Sequence, residues 1–152
     1  MSPTRKQHGV ALVEFAITVS LLMLIVFGIT EFGRAIFQYD TLAKAARDAT
    51  RLLSTKAPGD ADAIADATCL TVYGHMAPCS TTETPLVPGL TSSMVSICDS
   101  ISCAATHQSQ GAAPVMNLVT VTINAYPFAS LVSFVVPNFN FGPISVTMKQ
   151  VL

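Results

Sequence analysis

The sequence predicts an α+β protein: a long N-terminal helix, part membrane anchor and part stem, packed against a small antiparallel sheet. Three observations predict it. Residues 9–30 form an apolar run with a single charge. Residues 32–53 then repeat apolar side chains at helical spacing. Two later segments, around 119–123 and 144–148, alternate as half-buried strands do. With 152 residues the chain has room for one modest domain beyond an anchor.

The apolar run is the first element. It reads GVALVEFAITVSLLMLIVFGIT from Gly9 to Thr30. A helix needs about 20 apolar residues to cross the hydrocarbon core, so the length is right for a single-pass anchor. A domain this small has difficulty burying such a helix on every side, which disfavours a soluble core helix. A cleaved secretory signal is disfavoured too. Its apolar part is usually about 7–15 residues, and this run leads into ITEFGRAIFQYD without a small-x-small site. Glu14 is the unexpected residue, since a carboxylate at mid-membrane costs roughly 2.5–3.5 kcal/mol.

Composition agrees with the anchor. Hydrophobic residues make up 51% and charged residues only 11%, against about 25% charged in an ordinary soluble domain. The net charge of −1 gives no electrostatic case for nucleic acid. Lys and Arg counts do not orient the helix. Arg5 and Lys6 precede it, whereas Arg34, Lys44, Arg47 and Arg51 follow. The cysteines orient it better. Cys69, Cys79, Cys98 and Cys103 all lie beyond the helix, and export of that part puts them where disulfides persist.

The start of the run holds a motif. Basic residues precede Gly9, and Glu14-Phe15 stands five residues on. This resembles the class III signal of type IV pilin-like proteins. The stretch beyond it resembles the N-terminal region of TadE-like proteins, through Gly9, Val13-Glu14-Phe15-Ala16, Phe27-Gly28, Glu31, Gly33-Arg34 and Ala45-Ala46-Arg47. Ser20 stands near the place where many members carry a proline, which leaves helix curvature open. The resemblance is strong over the first third of the chain and loose over the C-terminal strands.

The resemblance implies a pilin-like fold and a pseudopilin in a tight-adherence (Flp, type IVc) pilus assembly or secretion machine. It implies a prepilin peptidase cutting Gly9–Val10 on the cytoplasmic side. Glu14, the fifth mature residue, would pair with the Val10 amine, its own or that of an adjoining subunit, with Phe15 completing the motif. Spacing is consistent, because residues four apart share a helix face. Expected partners are the lipid bilayer, the peptidase, other pilin-like subunits and the Tad assembly platform. The expected location is the bacterial inner membrane, with a cytoplasmic N-terminus and an extracytoplasmic head, and the cell surface if the subunit enters a pilus. An uncleaved single-pass anchor for a binding or adhesion module remains the alternative.

Four zones result: a leader at 1–9 with the processing site, a transmembrane helix at 10–30, a helical stem at 31–54 and a head at 55–152. In the stem, Phe32, Ile36, Tyr39, Ala43, Ala46, Ala49 and Leu53 mark the inward face, and Asp40, Lys44 and Asp48 are spaced for i,i+4 pairs. Glu31 and Arg34 read as a solvated i,i+3 pair at the membrane surface. Gly28 and Gly33 permit a bend or close packing but form no dimerisation motif. Pro58-Gly59 stops the helix.

In the head, residues 60–73 read as a helix with acidic residues at its start and Gly74 at its end. Met94–Cys98, Val115–Tyr126 and Ile144–Met148 read as strands. Phe128–Val136 is apolar but far too short to span. It is expected to pack on the head or to contact another subunit. Cysteine spacing favours local disulfides, Cys69–Cys79 and Cys98–Cys103, although four cysteines allow three connectivities. Zinc is the rival, but there is no Cys-x-x-Cys, and His75 and His107 stand alone in sequence. Asp99 beside Ser100 reads as a turn residue. No nucleophile, metal-hydrolase, phosphate-loop or dinucleotide motif is present. No enzyme activity, catalytic residue, metal or cofactor is expected. A membrane-tethered enzyme with a site made only by the fold is the remaining, disfavoured class.

Overall fold

The structure, a computed structural model, describes residues 8–108 and 116–151. Residues 1–7 of the expected leader and Val115 of the expected second strand lie outside them. Helix α1 runs unbroken from His8 to Ser54. No proline falls between residues 4 and 57 to interrupt it. Its 47 residues make it roughly 70 Å long. Pro58 and Gly59 then turn the chain. Gly59 sits at φ +74°, a conformation that other side chains rarely adopt, so the backbone selects glycine there.

Helix α2, Ala61–Tyr73, has the caps its sequence suggests. The Asp60 carboxylate accepts from the amides of Asp62 and Ala63 at 3.1 and 3.2 Å. Gly74 closes it in the left-handed region at φ +83°, donating to Leu70 O. A 3-10 turn, Ser92–Met94, leads into strand β1, Val95–Cys98. A short helix α3, Ala104–His107, precedes β2, Leu118–Ile123. Then follow β3, Pro127–Phe128, β4, Phe139–Asn140, and β5, Ile144–Lys149.

Strands β1, β2 and β5 form an antiparallel sheet in that order. Val95 faces Ile123, and Ile123 faces Ile144 on the other side. The alternation seen in the sequence is the alternation of the sheet. Val119, Val121 and Ile123 point inward and are buried. Thr120 and Thr122 point outward, bonded to the hydroxyls of Thr147 and Ser145 at 2.8 and 3.0 Å. Strands β3 and β4 make a separate two-stranded ribbon that the sequence does not announce.

The sheet and α2 pack on the second half of α1. Leu42 lies with Val72, Val87, Ile123, Tyr126 and Ile144. Farther along, Ala49 and Leu53 meet Ala63, Ala67, Val119 and Val121. Alanines at 43, 46 and 49 let neighbouring backbones approach α1 closely, which explains their place at the joint. The expected inward face is therefore only half right. Ala43, Ala46, Ala49 and Leu53 are buried, but Phe32, Ile36 and Tyr39 are exposed, because at their level the head meets α1 on the side of Glu31 and Gln38 and leaves these three along a groove. Glu31, Gln38, Leu42, Ala45 and Thr50 complete the buried face. The Asp40, Lys44 and Asp48 series forms no ion pair either. The pairs among the described residues are Glu31–Arg34 and His75–Glu83.

Both disulfides pair locally as the spacing favours. Cys69–Cys79 ties α2 to the loop after it, with Cα atoms 5.8 Å apart. Cys98–Cys103 joins the end of β1 to the start of α3, with Cα atoms 5.6 Å apart. Asp99 between them is more than a turn residue. It is buried, and its carboxylate accepts from the amides of Gly59, Ile101 and Ser102 at 2.7, 3.0 and 2.7 Å. It thereby ties the β1–α3 turn to the α1–α2 turn.

Candidate functional site

The N-terminal motif lies in the first two turns of α1. Gly9, Val10, Glu14 and Phe15 are all helical and all exposed. Val10 and Glu14 are one helical turn apart on one face. The expected scissile bond, Gly9–Val10, sits at the helix terminus. The first four amides there have no intrahelical acceptor, and glycine weakens the helix by about 1 kcal/mol relative to alanine.

Apart from Val135 beside Gly28, the described residues leave the apolar half of α1 uncovered. Its most apolar 18-residue window is entirely unburied, so burial in a soluble core is not the reason for its composition. Residues 10–30 span about 32 Å along the axis, close to the roughly 30 Å of a hydrocarbon core. Thr18, Ser20 and Thr30 return their hydroxyls to carbonyls of the preceding turn at 2.8–2.9 Å, so these polar groups are satisfied within the helix.

Directly after that run the structure departs from expectation. Glu31 and Arg34 are not a solvated pair. Glu31 is 2% exposed and bridges to Arg34 at 2.9 Å. Its other oxygen accepts from the Leu131 amide at 3.1 Å. Arg34 also donates to Ala129 O, and its guanidinium lies 4.5 Å from the centre of the Phe128 ring. The bond to Arg34 holds the Glu31 carboxyl below its ordinary range against the opposing effect of burial, with help from the Leu131 amide. Together the pair clasps the segment after β3 onto α1. The only hint in the sequence is the juxtaposition of a charged pair and an apolar run. Nothing in it says that an uncharged loop about a hundred residues later will meet them.

Beside the clasp is an apolar groove of about 330 Å³. Phe32, Ile36 and Tyr39 of α1 form one wall, and Val136, Phe139 and Phe141 the other. Phe128, Phe139 and Phe141 form a cluster with ring centres 5.0–6.0 Å apart, which braces this end of the head. Gly28 faces Val135 at ordinary contact distance, whereas Gly33 has open space around it. Neither glycine interrupts the helix.

The histidines are not isolated. His75 Nε2 lies 2.7 Å from Glu83 Oε2, and the Met76 carbonyl, then Glu83, raise its pKa. His107 Nε2 lies 2.7 Å from Thr120 Oγ1 and its Nδ1 2.7 Å from Thr106 Oγ1. Cys98, Cys103 and His107 come close enough to suggest three ligands. Both sulfurs are in the disulfide, however, and a metal ligand must be a thiolate.

These features define a class: one long apolar helix, compatible with a single membrane pass, that carries an α+β head on its second half. Residues 9–51 match the family model described as TadE-like protein. The match covers α1 to its last turn and stops before the head, so the likeness is one of the helical segment. No curated protein matches the chain, and no solved structure does.

Proposed function

We propose that the protein is a pilin-like minor subunit of tight-adherence pilus biogenesis or secretion. The observation that carries this reading is one helix holding both parts of the motif. Its exposed apolar half begins with Gly9, Val10, Glu14 and Phe15, and its TadE-like sequence extends over 9–51. On this reading a prepilin peptidase removes residues 1–9 at the cytoplasmic face of the inner membrane. The helix stays in the bilayer and the head lies outside it.

The chemistry then centres on Glu14. Cleavage gives Val10 a free ammonium. A carboxylate in the hydrocarbon needs a partner or a proton. The amine of a neighbouring mature subunit supplies that partner only when two helices lie side by side. Glu14 can meet its own Val10 amine in the lone subunit, and it favours assembly where the neighbour's amine is the better partner. The assembly platform and other pilin-like subunits are the partners, and the protein has no catalytic role of its own.

Complementation tests the reading. In the host, deletion should abolish surface pili or the associated secretion, and the wild-type gene should restore them. Glu14→Ala should reach the membrane in normal amount yet fail to restore assembly. Full function with Glu14→Ala would reject the role given to that carboxylate, and unaltered piliation in the deletion strain would reject the reading as a whole.

A further inference from the structure

The loop that the clasp holds has a use of its own. Between β3 and β4 the chain reads ASLVSFVVPN from Ala129 to Asn138, with no charge. It lies beside the point where the apolar run of α1 ends: the Leu131 amide bonds Glu31, and Val135 faces Gly28. Leu131 and Phe134 are 77% and 81% exposed, pointing away from the head. A loop in water can leave its amides to solvent. Here Ser130 N–H goes to Asn138 Oδ1, Leu131 to Glu31, Val132 to Ser130 Oγ, and Val135 and Val136 to Val132 O, all within 2.8–3.1 Å, while the amides of Ser133 and Phe134 at the tip make no such bond. Pro137 has no amide to satisfy. Internal pairing of this kind is what backbone requires where water is scarce.

We propose that this loop is a lipid-contacting foot. Leu131 and Phe134 enter the boundary between headgroups and acyl chains, in the leaflet from which α1 emerges. The inference rests on the reading of residues 10–30 as a membrane span. The argument for lipid is continuity. The foot stands at the level of residues 28–34, where the apolar surface of α1 gives way to its first charges, and extends that surface sideways. A single helix leaves a head free to rotate about the membrane normal and to tilt. A second contact at the clasp restrains the tilt.

The sequence holds no tryptophan, so one introduced tryptophan reports alone. The full chain would be reconstituted in vesicles of phosphatidylcholine and phosphatidylglycerol carrying bromine at shallow or deep acyl positions. Four variants are compared: Leu21→Trp in mid-span, Phe134→Trp and Leu131→Trp in the foot, and Ile101→Trp on the head near the far end of α1. Leu21→Trp should be quenched most by deep bromines. Phe134→Trp should be quenched most by shallow bromines and be several-fold less accessible to aqueous acrylamide than Ile101→Trp. Leu131→Trp should repeat the Phe134→Trp result. If Leu21→Trp is quenched by lipid while Phe134→Trp behaves like Ile101→Trp, the foot fails and the span stands. An unquenched Leu21→Trp overturns both. Shielding of Phe134→Trp from acrylamide without lipid quenching, varying with protein density, assigns the loop to a second copy and overturns the lipid contact.

Discussion

Replacing Leu42 by alanine separates the two halves of α1. Leu42 is fully buried among Val72, Val87, Ile123, Tyr126 and Ile144, at the joint between helix and head. The change removes three carbons. At about 0.8 kcal/mol per buried methylene the transfer loss is about 2.4 kcal/mol. The remaining cavity raises the total to about 3–4 kcal/mol, within the range for Leu→Ala in cores. For a head and stem of roughly 120 residues, that corresponds to a fall in Tm of about 12 °C. The assay is near-ultraviolet circular dichroism of the full chain in detergent micelles. All three tyrosines, Tyr39, Tyr73 and Tyr126, lie in the stem or head, so the tyrosine signal reports this part alone. Leu22→Ala makes the same chemical deletion on the same helix where the side chain is 59% exposed. It should leave the transition in place. Equal effects of the two substitutions, or none from Leu42→Ala, would refute the claim that the head is built on the second half of α1.

Asp99→Ala should lower head stability at neutral pH by about 2–3 kcal/mol, since the carboxylate accepts several charge-assisted bonds. Burial pushes this carboxyl up, but bonds from Ser102, Gly59 and Ile101 outweigh it and hold it below its ordinary value of 3.8. Its contribution is therefore full above that ordinary value and is lost as pH falls through the lower folded value. Thermal scans of wild type and variant should converge in strong acid, and a constant gap from neutral pH down to about pH 2 would contradict the assignment. Arg34→Ala removes the partner of Glu31, the bond to Ala129 O and the stacking on Phe128. Limited chymotrypsin digestion in micelles should then cut at Phe134 several-fold faster, while Arg34→Lys, which keeps charge but not the fork, falls between. An unchanged cutting rate would show that the clasp does not hold the loop.

The elements governed by local periodicity are legible in the sequence itself. The continuous helix needs only its apolar run, its spacing and the absence of proline. Helix α2 is marked at both ends, by Asp60 and by Gly74. Strands β2 and β5 follow from the alternation of valine and isoleucine with threonine and serine, and the disulfides from short spacings. What is not legible depends on distant partners. Phe32, Ile36 and Tyr39 share the helical phase of the buried alanines, and only the side on which the head meets this part of α1, over Glu31 and Gln38, leaves them exposed. Glu31 and Arg34 look like a surface pair until Ala129 and Leu131 arrive from a loop about a hundred residues later. The β3–β4 ribbon is two residues per strand and leaves no periodic trace. In the N-terminal motif the residues are legible, and the chemistry proposed for them needs partners outside this chain.

The central claim is that the functional chain begins at Val10, so that its amine can meet Glu14. The most direct measurement is the intact mass and N-terminal peptide of the protein purified from membranes that contain the cognate prepilin peptidase. The account predicts a chain starting at Val10, and retention of residues 1–9 in Gly9→Ala. A wild-type chain that keeps Met1 or Ser2 beside an active peptidase would contradict it.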